Sequence, residues 1–208
     1  KLLVFAGPRE KFKALEFDVL HNYMKNGGSI LLMLGEGGET RFETNVNYFL
    51  EAFGIKVETD AVVRSSYYKY LHPKECVVSN GVVNRELNKV AGKELPTSAN
   101  SSAEGTSLTF VYPYGATLTV QKPAVPVLSS GTVSLPVNRP VCAFHPPTRD
   151  MKGKLAVIGS CHLFHDQYID EEENSKVFDV VFQWLTADSI KVRKLFALSH
   201  SLSLCLSH

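Results

Sequence analysis

The sequence has no pair of cysteines two residues apart: Cys76, Cys142, Cys161 and Cys205 are scattered without pattern. That spacing argues against both a zinc knuckle and a dense disulfide framework, and predicts reduced thiols in the cytosol. No apolar run approaches the roughly twenty residues that a membrane-spanning helix needs. Nor does a leader of charged, apolar and small residues open the chain, so a soluble intracellular product without membrane insertion is expected. An excess of either charge is also missing. Lysine and arginine number 22 against 21 aspartates and glutamates, which gives no electrostatic reason to expect nucleic acid or an anionic membrane and fits a chain that meets other proteins. What is present is apolar material for one substantial core, 44% of 208 residues, so a single compact domain is expected.

The first third alternates two periodicities. Leu2 to Ala6 is short, continuously apolar and closed by Gly7-Pro8, as for a strand buried on both faces of a parallel sheet. Phe12, Leu15, Val19, Leu20, Tyr23 and Met24 recur at helical spacing and stop at Asn26-Gly27-Gly28, so Lys11 to Lys25 reads as a crossover helix. Ser29 to Leu34 returns as a second buried strand, and the β-α-β unit should be right-handed. Val46, Phe49, Leu50 and Phe53 predict a short helix stopped by Gly54, and Lys56 to Arg64 an extended segment.

The middle changes character. Val82, Val83, Leu87 and Val90 predict one more helix ending at Gly92, and Pro96 to Gly105 a mobile polar loop. Leu108 to Phe144 is rich in valine, threonine and aromatic residues, punctuated by proline and glycine, which predicts short antiparallel strands. Leu155 to Ile158 reads as a buried strand, and Val177, Phe178, Val181, Trp184 and Leu185 as the apolar face of a closing helix that stops near Thr186. Asp170 with Glu173 has the spacing of a capping box, with three glutamates in the first turn.

Several ordered blocks resemble the intraflagellar transport protein 52 family. They include Ala6 to Phe12, Met33 to Glu39 with Arg41-Phe42, Asp60 to Arg64, His72 to Glu75 and Val111 to Thr117. Asn138 to Pro140, Gly159 to His162, Asp166 to Tyr168, Glu172 to Lys176 and Phe182 to Leu185 continue the series along about nine-tenths of the chain. The resemblance implies a doubly wound, glutamine-amidotransferase-like (Rossmann-like) α/β sheet with an added antiparallel section, related to bacterial gliding-motility and ABC-transporter accessory proteins. It implies a non-catalytic structural subunit of the intraflagellar transport B complex, which moves with kinesin and dynein to build and maintain cilia. The expected location is the cilium, its basal body and the cytoplasm. Partners are expected to be other subunits of that complex, held mostly by regions this chain does not contain. Family members carry a strand and helix before the position of Lys1, so the sheet is expected to lack its first strand and helix. From about Ser189 the sequence is expected to leave the family pattern, giving an α/β domain over 1–187 and a divergent, disordered tail over 188–208.

Four places in the sequence carry candidate functional residues. Cys161 follows the strand Leu155 to Ile158 with His162 beside it, where amidotransferase-type relatives place a nucleophile. Yet Leu163 stands where such an elbow needs a glycine, and His145 is only one of several unselected partners, so no catalytic residue is expected. His162, His165 and Asp166 have weak metal-ligand spacing, and no metal or cofactor is expected. Gly35, Gly37 and Gly38 at a strand end could form an anion nest, but the lysine of a P-loop is missing, and Glu36 and Glu39 would repel phosphate. With Arg41 set to neutralise one of those glutamates, Gly35, Glu36, Gly37, Gly38, Glu39, Arg41, Cys161 and His162 form a candidate vestigial pocket for a small polar ligand or sugar. Tyr67, Tyr68 and Tyr70 are candidate interface residues, or alternatively cover for the domain's own sheet edge.

Overall fold

The computed structural model describes residues 1–83, 87–88, 91–92 and 107–186. The two most continuously apolar segments form the centre of a five-stranded sheet. These are β2 (Ser29–Met33) and β11 (Leu155–Ile158), both buried along their whole length. They lie parallel, with Ile30 opposite Leu155 and Met33 opposite Ile158. On the far side of β2 runs β1 (Leu2–Ala6), also parallel. Beyond β11 follow β10 (Pro140–His145) and β8 (Val125–Ser129), each antiparallel to its neighbour.

Alternation across the pleat explains why these strands carry no polar face. Ile30 and Leu32 of β2, with Leu155 and Val157 of β11, enter one core together with Phe17 and Met24 of α1 (Ala14–Lys25). Leu31, Met33, Ala156 and Ile158 point the other way, into a second core closed by the last helix, α4 (Asn174–Thr186). Helices on both faces make the sheet doubly wound. The tightest ring contact of the second core is Phe144 stacked on Trp184, with centroids 4.0 Å apart and planes 7° from parallel.

After β2 the chain makes two brief helices, α2 (Gly38–Phe42) and α3 (Asn47–Leu50), with a 3-10 turn ending at Gly54, whose φ of 74° only glycine adopts without strain. The antiparallel section consists of three two-stranded ribbons. They are β3 (Ile55–Val57) with β7 (Leu118–Val120), β4 (Val63–Arg64) with β9 (Ser134–Leu135), and β5 (Glu75–Val78) with β6 (Phe110–Pro113).

Several expectations are corrected. β1 is not buried on both faces: it is an edge strand with Leu3 and Val4 exposed. The crossover helix starts at Ala14, after Lys13, where the Glu16 carboxylate accepts the Lys13 amide at 2.7 Å. Its buried residues, Phe17 and Met24, lie opposite Leu15 and Val19, which are 77% and 65% exposed, so two of the six residues expected on the apolar face point to solvent. Lys56 to Arg64 is not one strand, because Asp60 interrupts it by accepting two bonds from Thr117, each 2.7 Å. The Asp170–Glu173 capping box does not form. Helix α4 begins at Asn174 instead, and Glu173 accepts the Thr109 amide at 2.9 Å. β5 was not expected at all. Of the helix around Val82 to Val90, only Leu87 and Asn88 are described as helical, while Val90, Pro96 to Gly105 and the tail 188–208 lie outside the described residues.

Candidate functional site: a basic pocket at the carboxyl end of the parallel strands

The strands β1, β2 and β11 all end on the same side of the sheet, and open α/β sheets bind ligands beyond such carboxyl ends. Their exits are close together. The Gly7 amide donates to Met33 O at 2.9 Å, and the Leu34 amide to Ile158 O at 3.1 Å. Over these exits lies a cavity of about 210 Å³ lined by Arg9, Gly35, Glu36, Arg41, Phe42, Tyr114 and His162. Four candidate residues, Gly35, Glu36, Arg41 and His162, therefore meet in one place.

The glycine loop itself is closed to a ligand's charge. The Glu36 amide donates to Tyr114 O at 2.8 Å, the Gly37 amide to Asp60 O at 2.9 Å and the Gly38 amide to Gly35 O at 3.0 Å. Because every one of these donors already has a protein acceptor, the loop is no anion nest. Its glycines answer a steric demand. A Cβ on Gly38, at φ 50°, would stand 2.4 Å from Glu58 O, and one on Gly35 would stand 2.9 Å from the Phe42 ring. Glu39 points elsewhere, accepting the Asn47 amide at 2.6 Å at the start of α3.

Side chains supply the electrostatics. Glu36 is buried and has a cation at each oxygen: Arg41 at Oε1, and Lys74 Nζ 2.5 Å from Oε2. Arg9 lies over the Phe42 ring, 4.9 Å from its centroid. The His162 ring is 5.6 Å from that of Tyr114, edge-on. Loss of water holds the His162 pKa below its usual value, and the positive surroundings of His165, Arg41 and Arg9 push it the same way.

Cys161 sits just beneath, its Sγ 3.5 Å from where a Gly7 side chain would begin. Burial raises its pKa, opposed by its own backbone and by Arg9. No strand-to-helix elbow is built around it. Turns follow β11 and helix α4 starts only at Asn174, while Leu163 is wholly buried in the core. His145 pairs with Leu155 at the start of β11, whereas Cys161 lies beyond its end. About 10 Å of strand alone separates those two levels, so His145 is no partner for the thiol.

The tyrosines divide. Tyr67 and Tyr68 are 70% and 62% exposed and border a shallow cavity of about 590 Å³. Tyr70 is turned inward, its hydroxyl donating to Glu171 at 2.6 Å, with Lys69 bound to Glu172 at 2.8 Å. Burial and that bond to Glu171 push the Tyr70 phenol up to about 12.

Arg9, Phe42 and Tyr114, which the sequence pattern does not mark, also line the pocket, and Lys74 pairs with its Glu36. One signal was available for Arg9: it follows the Gly7-Pro8 end of β1, as Gly35 follows β2 and His162 follows β11.

The fold and this strand-end loop cluster define a doubly wound α/β domain, and among the described residues no nucleophile elbow is assembled around Cys161. Sequence comparison gives the particular family. The model of the IFT52 GIFT domain matches residues 1–197, and the chain belongs to the intraflagellar transport protein 52 family. It is 58% identical over 200 residues to the mouse intraflagellar transport protein 52 homolog, covering 95% of this chain and 47% of that protein. For the human homolog the identity is 56%, over 95% and 46%. The chain thus spans about half the length of these relatives. A solved structure of the mmIFT52 N-terminal domain is 59% identical and superposes with a TM-score of 0.81, over 91% of this chain and 78% of the other. A cytoplasmic protein from Salmonella typhimurium, 17% identical with a TM-score of 0.50 over 88% and 71%, shares the fold alone.

Proposed function

We propose that this chain is the amino-terminal interaction domain of a non-catalytic structural subunit of the intraflagellar transport B complex. It serves cilium assembly and maintenance through contacts with other proteins, at the cilium, its basal body and in the cytoplasm. The observation that carries this reading is the family match over residues 1–197. The chain's geometry supports the absence of catalysis. Cys161 has a pKa raised by burial, the next helix starts only at Asn174, and His145 is held at the other end of β11. Tyr67 and Tyr68 offer exposed aromatic area for a partner, while Tyr70 braces the loop that carries them. The subunit contacts of the whole protein lie for the most part in the half of the relatives that this chain does not span.

The test uses the full-length protein in ciliated cells lacking their own copy. Cys161→Ser is expected to restore cilia and to co-purify with transport subunits as the unaltered protein does. Loss of cilia at normal protein abundance and normal complex assembly would show that thiol chemistry is needed and would overturn the non-catalytic reading.

A further inference from the structure

The cavity at the strand exits has an electrostatic bias that its position alone does not require. Arg9 and Arg41 line it beside one carboxylate, that of Glu36, which also pairs with Lys74 from outside the lining. Arg41 and Lys74 each take one oxygen of Glu36, so the buried charge is neutralised with one cation to spare. Arg9 is exposed and forms no ion pair with a carboxylate among the described residues. Its guanidinium is nonetheless held in place, over the face of Phe42. A guanidinium stacked on a ring keeps its planar fork free to donate, and less side-chain freedom is lost when an acceptor arrives. Arg41 is likewise fixed by Glu36, which can occupy only part of its five donors. Two restrained forks thus line one small cavity, beside which the amides of Glu36, Gly37 and Gly38 are engaged elsewhere. Tyr114 and His162 form its side wall, edge to face.

We propose that Arg9 and Arg41 form a receptor for a single carboxylate of a partner polypeptide, received between the two guanidiniums against the Tyr114 and His162 rings. Planar forks match a carboxylate's two oxygens. A volume of about 210 Å³ admits one acidic side chain or one chain terminus, and is too small for a dinucleotide or an oligosaccharide. This rests on the reading of the domain as an interaction module and names the chemistry one of its partners presents.

The test is titration of the isotope-labelled full chain, observed at the arginine side-chain Nε–H resonances at low ionic strength, where screening is least. Three probes are used: acetyl-glutamate amide, its neutral isostere acetyl-glutamine amide, and acetyl-glutamine with a free terminal carboxylate. Saturable shifts at Arg9 and Arg41 with either carboxylate probe and none with the neutral isostere are expected. The stronger of the two carboxylate probes identifies side chain or terminus as the source. Arg9→Gln, at an exposed position without an ion pair, should leave the fold intact and weaken carboxylate binding by about tenfold or more, since a hydrogen bond to a charged group is lost. Arg9→Lys should recover only part of that loss, because the charge returns without the fork. Equal shifts from the charged and neutral probes, or unchanged affinity in Arg9→Gln, would overturn the proposal. So would inorganic phosphate binding more tightly than the carboxylates at the same arginines. Failure of the interaction-module reading looks different: the chain would bind the carboxylate probes, yet the full-length protein would recover no transport subunits from ciliated cells.

Discussion

The two edges of the five-stranded sheet are built in opposite ways. At the β8 edge the chain returns to cover its own strand. Val82 bridges to Leu128, the Val83 amide donates to Val127 O at 3.1 Å, and the Ser129 amide donates to Gly81 O at 2.7 Å. At the β1 edge, among the described residues, the backbone pairs on one side only, and Leu3 and Val4 meet solvent. An edge is closed by a backbone partner, not by apolar side chains. β1 is as apolar in sequence as β2, yet only β2 has a strand on each side.

Stability separates the two edges most. Leu128→Ala empties a buried site on β8 and is expected to cost about 3 kcal/mol in chemical denaturation. Val4→Ala on half-exposed β1 should cost about 0.5 kcal/mol. Similar losses at the two positions would show that the edges are equally packed. Next in size is Gly81→Ala, expected to cost about 2 kcal/mol through overpacking, because its Cβ would stand 2.4 Å from Ser129 O and 2.5 Å from Val78 Cγ1. Hydrogen exchange in this variant should speed up at Ser129 and Val83 and leave β1 unchanged.

Acidification offers a third contrast. His145, at the end of β10 and packed edge-on to Phe53, is buried, and loss of water lowers its pKa from the usual 6.5. In the unfolded chain it takes up a proton more readily than in the folded one. Stability is therefore expected to fall as pH drops below about 6.5, and His145→Gln should flatten that part of the profile. A wild-type profile with no decline there would contradict a neutral, buried His145. The smallest effect belongs to the outer face of α1. Leu15→Lys is expected to change stability by no more than about 0.5 kcal/mol, since Leu15 is exposed. A loss several times larger, measured by the same denaturation, would mean that the face is covered in solution.

Much of this was legible in the sequence, for reasons that differ from element to element. β2 and β11 announced themselves because strands buried on both faces lack polar alternation, and Gly54 stopped its short helix where expected. Which way α1 faces was not legible, because it carries apolar residues on two sides and tertiary packing, such as Phe17 on Phe49 and His21 on Phe53, selects one. The false capping box has a similar cause. Its glutamates are used across the chain, Glu171 by Tyr70, Glu172 by Lys69 and Glu173 by Thr109, contacts that local spacing cannot show. At the pocket, the loop from Gly35 to Arg41 and His162 could be read because they directly follow apolar strands. Tyr114 and Lys74 could not, since they are brought there by the separate β5–β6 ribbon, Lys74 just before β5 and Tyr114 just after β6.

The open strand also bears on the pocket. Arg9 reaches the cavity only because β1 is aligned so that Ala6 stands beside Met33. A slip of two residues along β2 would return every β1 side chain to its original face, and the pleat would register no fault. Arg9, however, would travel about 7 Å and leave the cavity. The cavity therefore works as a vernier for the edge strand. Among the restraints that keep the scale true are the Gly7 amide on Met33 O and the edge-on contact of Phe5 with Phe12, and neither belongs to the pocket.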